Sequence, residues 1–298
     1  MGLSQKRKMS KTDSWFTIKK DNKYQINSVI IYDCLSPQIR NFLYEDRSVS
    51  SIIEWLKNET IEQFIDKFNK KPTDGAINNS IGRWNEFIAT TLFSEIALDI
   101  YDKHKISPAI FRLPNSHFSK KYQDEYSNKF ISLFLDDKSE KGENLDKLAN
   151  FKNKIFFSSP DYVIALIENI QLNQDVKFLL EEQSCKPDSF SLYELLQGKL
   201  RIDNLKAVVS LKTSNRPDRR YQPMFEAAMI KAISFLLEQE WQYHMVTSQL
   251  SPSDENIFSK VISPHGIALQ QGIKLVDGTY TYNRKSDLVL LVNKALKL

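Results

Sequence analysis

Residues 205–213, LKAVVSLKT, alternate with a period of two, with Leu205, Ala207, Val209 and Leu211 facing one way, and read as a half-buried strand. A turn follows, NRPDRRYQP, and then MFEAAMIKAISFLLEQEW, a helix opened by Pro223 near its first turn. Strand, turn and apolar helix in this order place a helix against a sheet, an α/β arrangement. Glu226 falls on the helix's inward stripe with Met229, Ile230, Ile233 and Leu237 at about 100° per residue. A carboxylate on an apolar stripe costs free energy unless it is paired or bound to a metal. A salt bridge to a neighbouring Lys or Arg is the ordinary solution; a metal ion is the other.

The rest of the chain fits around this unit. A length of 298 residues, 41% of them hydrophobic, allows one large domain or two small ones with a proper core. Residues 1–23 are polar and basic and read as a loose arm. Residues 24–70 read as helices, with apolar positions three and four apart in INSVIIYDCL and SIIEWLKNETIEQFIDKF. KPTDGAINNSIG (71–82) is full of turn formers and reads as a loop. RWNEFIATTLFSEIALDIYDK is a helix buried on more than one side, through Trp84, Phe87, Ile88, Leu92, Phe93, Ile96 and Ile100. The charged stretch 119–153 reads as helix and loop, with a boundary at DDKSEKGEN. These shifts suggest a mainly helical part over 1–150 and an α/β part over 151–298, or one continuous domain. Near the C-terminus a turn is expected at VDGTY and an alternating stretch at SDLVLLV, while Asp188 is expected to cap the helix SFSLYELL.

Several classes fall away. No run of eighteen apolar residues spans a membrane, and the basic start MGLSQKRKMSKTDS lacks the apolar region of a secretory signal. Cys34 and Cys185 make neither a disulfide framework nor a four-ligand zinc site. His104, His117, His244 and His265 are scattered without ligand spacing. The reading is a cytosolic protein, and a net charge of +4 says little about its partners.

Two more residues join Glu226. Asp161 follows Pro160 where two short strand pieces meet in KIFFSSPDYVIALIEN, and Lys212 ends the strand on the face opposite Leu211. Pro-Asp followed within about fifty residues by a strand-end lysine resembles the PD-(D/E)XK nuclease core. In that core a carboxylate pair holds Mg²⁺, and the lysine orients or helps activate the attacking water. The acid expected two residues before the lysine is here Ser210.

SLKTSNRPDRRYQPMFEAAMIKAI (210–233) resembles the CCGG-recognising type II restriction endonucleases, which also carry Ser in place of the strand acid. Their second acid sits on the following helix fourteen residues after the lysine, the position of Glu226. The Arg-x-Asp-Arg turn is present as Arg216-Pro217-Asp218-Arg219. Ser-Ser before Pro160-Asp161, and Gly-x-Trp-x-Glu at Gly82, Trp84 and Glu86, match too. More loosely, so do Tyr24-Gln-Ile-Asn-Ser28 and Leu113-Pro114-Asn115. The likeness is dense over 210–233 and thin beyond 241.

This resemblance implies a nuclease core with a central mixed β-sheet flanked by helices, plus a helical N-terminal part. It implies Mg²⁺-dependent cleavage of double-stranded DNA, with Asp161, Lys212, Glu226 and Ser210 in the catalytic site and Asp161, Glu226 and Glu86 as metal ligands. Glu95 is the rival of Glu86 on the same helix. One of Asn78 and Asn79 is expected in the minor groove. A palindromic site requires at least a homodimer. Several relatives are homotetramers, and the Trp241 region resembles a stretch near their second interface with a one-residue offset. The setting is a bacterial restriction-modification system with a cognate DNA methyltransferase.

Chemistry makes independent sense of the turn. Arginine bonds guanine O6 and N7 bidentately, and a carboxylate accepts from cytosine N4, so Arg216, Asp218 and Arg219 can read two adjacent G·C pairs. Two other functions remain to be weighed. A DNA-binding protein on a dead nuclease fold would keep the turn and lose the acids, whereas a structure-selective repair nuclease would not need the turn.

Overall fold

A computed structural model of the chain describes residues 14–19, 24–114, 128–134, 147–148, 160–212, 221–248 and 250–298. The chain divides into two compact units between Ile88 and Ala89.

In the first unit, β1 (Phe16–Ile18) and β2 (Tyr24–Ile26) pair antiparallel, followed by α1 (Ser28–Tyr44), α2 (Val49–Phe68) and the start of α3 (Asp74–His104). Both strands lie where the sequence suggests a loose arm and a helix. Their aromatic rings explain the difference, because Phe16 and Tyr24 pack on Phe64 and Phe68 of α2 with centroids 4.5–5.9 Å apart. Ser48 caps α2 by accepting from the Ser51 N–H, and Asn69 ends it in the left-handed region at φ 51°.

Residues 74–82, read as loop from their turn formers, are helical. Thr73 Oγ1 accepts from the Ala76 N–H at 3.4 Å at the start of the helix. Tertiary anchoring then outweighs weak propensity. Ile77 and Ser80 are buried, Ser28 donates its hydroxyl to Ser80 at 3.0 Å, and the fully buried Trp84 donates to the Ser28 carbonyl.

The second unit is built on a five-stranded sheet of order β3 (Ser107–Arg112), β4 (Tyr162–Ile167), β5 (Leu205–Lys212), β6 (Gln242–Thr247) and β7 (Gly278–Thr281). β3, β4 and β5 run antiparallel, and β5, β6 and β7 run parallel. The mixed sheet with flanking helices is the α/β class read from the sequence. It also takes in β3, from before residue 150. A short helix α4 (Asn128–Ile131) adds the buried Phe130 and Ile131.

One face of the sheet carries Tyr162 and Ala207. There Tyr162 bonds Thr90 at 3.0 Å and packs on Phe93, both from α3. On the same unit α5 (Ile170–Cys185) is fixed by Gln183, which donates to Ser94 Oγ and to the Ile110 carbonyl. α7 (Tyr221–Leu236) packs against β6, with Glu226 directed at Tyr243. Covered on both faces, β5 buries Val208 and Ser210 as well as Ala207 and Val209. It is a fully buried central strand, where its alternation suggests a half-buried one.

Three local expectations change. SDLVLLV belongs to the helix α10 (Lys285–Leu296), because Leu288, Leu291, Val292 and Ala295 bury a helical stripe. VDGTY enters β7 at Gly278. Asp188 does not cap α6 (Ser191–Leu196), whose N-cap residue is Phe190; instead Ser189 Oγ accepts from the Ser191 N–H. Two short helices, α8 (Pro252–Lys260) and α9 (Pro264–Ala268), start on Ser251 and Ser263 caps with proline just inside.

Candidate active site

Asp161 stands one residue before β4 and is clasped by both neighbouring strands. Its N–H donates to the Val209 carbonyl and its own carbonyl accepts from Leu113, each at 3.1 Å. The Leu113-Pro114 stretch thus has a structural task, bracing the backbone of the Pro-Asp pair. Lys212 is the last residue of β5, and its carbonyl accepts from the Ser248 N–H, continuing the β5–β6 pairing.

The Asp161 side chain lies across the end of β5. Oδ2 accepts from the Leu211 N–H at 2.7 Å, from Ser210 Oγ at 3.4 Å and from Lys212 Nζ at 3.4 Å. The lysine and aspartate side chains are 16% and 30% exposed. Lys212 is therefore shielded enough to be directed, while Asp161 remains accessible to a ligand. The Pro-Asp and strand-end lysine of the sequence do meet.

Glu226, on α7, is 1% exposed. Its Oε1 accepts from the Tyr243 hydroxyl at 2.9 Å. Tyr243 is wholly buried, and its phenol is pushed well above its ordinary pKa, first by burial and then by the Glu226 charge; Asp161 adds to the push and a Ser210 hydrogen bond opposes it. The phenol stays protonated and acts as a donor. It donates to Glu226, while the nearby Ser210 donates to Asp161. Nothing in the sequence singles out Tyr243. The only sign is its alternation in QYHMVT, and its strand comes beside β5 only after α7.

The other expected residues fall into three groups. Arg216, Asp218 and Arg219 lie outside the described residues, as does the Ser-Ser before Pro160. Asn78, Asn79 and Glu86 lie on α3 in the first unit, the two asparagines exposed and Glu86 half-buried. Glu95 is committed elsewhere in the second unit: Lys285, at the start of α10, is 3.2 Å from it and 2.9 Å from Asp99. Trp241 is buried, stacked on Phe134 and donating to the Ile202 carbonyl, so its indole belongs to the core.

The donor set suits a hard cation. Mg²⁺ takes one or two carboxylates and fills its remaining positions with water and phosphate oxygens. Asp161 and Glu226 supply two carboxylates, the first accepting from Ser210 and the second from Tyr243. Among the described residues, no three His, Cys, Asp or Glu side chains gather into a larger metal cluster.

A model of the family described as Cfr10I/Bse634I restriction endonuclease matches residues 12–298. The chain belongs to this family. Membership in the Cfr10I/Bse634I family makes it a type II, site-specific deoxyribonuclease. It is 24% identical over 262 residues to the type II restriction enzyme Cfr10I of Citrobacter freundii, covering 83% of this chain and 85% of that one. Two solved structures share the fold. The Bse634I restriction endonuclease matches with a TM-score of 0.71 at 19% identity, over 97% of this chain and 99% of that one. The type IIF restriction endonuclease Bse634I with cognate DNA matches with a TM-score of 0.73 at 20% identity, over 97% and 100%. Among the described residues, no helix is long and apolar enough to cross a membrane.

Proposed function

We propose that this chain is a Mg²⁺-dependent endonuclease that cuts double-stranded DNA at a palindrome with a CCGG-like core. The observation that carries the reading is the grip of β5 on Asp161: Leu211, Ser210 and Lys212 all reach one carboxylate oxygen. Asp161 and Glu226 would hold the cation. Bound there, the cation would polarise the scissile phosphate and generate a hydroxide nucleophile near neutral pH. Lys212 orients the attacking water beside Asp161, and the buried Ser210 keeps a hydroxyl where a third carboxylate would otherwise stand.

DNA is the partner, in keeping with the relative solved with its cognate DNA. Arg216, Asp218 and Arg219 read the inner C·G and G·C pairs a few residues past the lysine, which couples base readout to cleavage, while Asn78 or Asn79 approaches the minor groove. A two-fold homodimer presents two such turns to one palindrome; a homotetramer would join two dimers. The setting is the bacterial cytoplasm, with a methyltransferase protecting the host's own sites. An inactive DNA-binding protein on this fold has no need of an intact Asp161, Lys212 and Glu226. A structure-selective repair nuclease has no need of Arg216-Pro217-Asp218-Arg219.

Plasmid digestion with and without Mg²⁺ tests the reading. Discrete fragments only with Mg²⁺ support it. No cleavage points to the binding protein, and nicks at DNA structures without a shared sequence point to the repair nuclease. Light scattering that gives a monomer active on both strands would overturn the dimer.

A further inference from the structure

The Tyr243 hydroxyl is an expensive group in its position unless it has a task. A phenylalanine would fill the same buried space, and an unbonded hydroxyl there would carry a desolvation penalty. The phenol instead donates to Glu226 Oε1 at 2.9 Å.

The backbone of Tyr243 is equally constrained. Its N–H donates to Asp277 Oδ2 at 2.7 Å and its carbonyl accepts from the Asp277 N–H at 2.8 Å. Asp277 in turn pairs with Lys231 at 2.5 Å, and Lys231 also donates to the Trp241 carbonyl at 3.0 Å. Lys231 and Glu226 lie five residues apart on α7, roughly 7.5 Å along the helix at its usual rise. β6 is thus braced to α7 at two points, and one of them is the Glu226 carboxylate.

We propose that Tyr243 is a positioning residue for the metal-holding pair: its hydroxyl sets the rotamer and carboxylate plane of Glu226. This rests on the assignment of Asp161 and Glu226 as that pair. A glutamate with three rotatable bonds needs such a partner, because groups bonded to a metal's ligands fix their orientation and raise affinity.

The test is a Mn²⁺ titration, followed by electron paramagnetic resonance, of full-length protein on a duplex bearing the cut site recovered by end-sequencing. Wild type, Tyr243→Phe, Glu226→Gln and the double variant are compared. Tyr243→Phe is expected to weaken Mn²⁺ binding about 10–100-fold, to bind the duplex in EDTA as wild type does, and to regain cleavage at high Mg²⁺. The double variant is expected to bind Mn²⁺ no worse than Glu226→Gln alone, since both changes act on one carboxylate. Wild-type Mn²⁺ affinity in Tyr243→Phe, or additive losses, would overturn the proposal. So would loss of duplex binding in EDTA, which would mark Tyr243 as a core residue only. A wild type that binds no Mn²⁺ would overturn the metal pair itself, and this proposal with it.

Discussion

Leu211 donates its backbone N–H to Asp161 Oδ2 over 2.7 Å, so the strand that ends in Lys212 grips the carboxylate with its main chain. A hydrogen bond to a charged group contributes about 1.5–3 kcal/mol. Made by the backbone, it is indifferent to the side chain at 210. The orientation of Asp161 therefore survives the replacement of the usual strand acid by Ser210, whose hydroxyl donates to the same oxygen.

Asp161→Ala is expected to reduce cleavage by roughly 10³-fold or more, the scale of several kcal/mol of lost charge stabilisation, while specific DNA binding persists. Lys212→Ala is expected to lose turnover even at saturating Mg²⁺, because added cation does not replace an oriented water. Single-turnover kinetics beside binding curves will show this, and near-wild-type cleavage by either variant would remove that residue from the site.

Arg216→Ala and Arg219→Ala are each expected to cost about 1–3 kcal/mol of discrimination, with little change in binding to random DNA. Replacing a phosphate-contacting lysine would weaken both together and flatten the salt dependence. Binding curves on specific and random duplexes at two salt concentrations distinguish the cases. Equal losses on both DNAs would make the turn a backbone contact.

Lys231→Met leaves Asp277 without its cation in a site where the lysine and aspartate side chains are 10% and 24% exposed. Breaking a buried pair on one side costs about 3–5 kcal/mol, and the partial exposure of Asp277 places this case near the lower end. Urea unfolding will measure it. An unchanged midpoint would show that the brace between α7 and β6 contributes nothing to stability.

His244 lies buried in β6, and burial, followed by the charges of Lys294 and Lys231, lowers its pKa from 6.5 to about 3. The native imidazole is neutral while the unfolded one protonates, so its contribution to stability is present above about pH 6.5. It is lost as pH falls towards 3, at up to about 1.4 kcal/mol per pH unit. Urea midpoints from pH 7.5 to 5 are expected to fall more steeply for the wild type than for His244→Asn. Parallel slopes would show that His244 titrates normally in the fold.

Much of the site was legible because its signals are local. The alternation of 205–213, the Glu226 stripe and the Pro160-Asp161 pair each occupy a few consecutive residues, and the resemblance set them in order. Contacts that depend on β6 lying parallel to β5 were not legible, because Tyr243 meets Ser210 and Glu226 only once the chain has crossed back along α7. The same limit hid the helix over 74–82, which is held by Ser28 and Trp84 rather than by its own propensity. It also hid the aromatic anchoring that makes strands of Phe16–Ile18 and Tyr24–Ile26.

Sequencing the ends of fragments from a random-sequence DNA library digested in Mg²⁺ tests the central reading most directly. Cut sites that share a palindromic CC/GG core, with ends produced only when Mg²⁺ is present and Asp161 intact, are the expected result. Fragments whose ends share no such core, or that appear equally with Asp161→Ala, would contradict it.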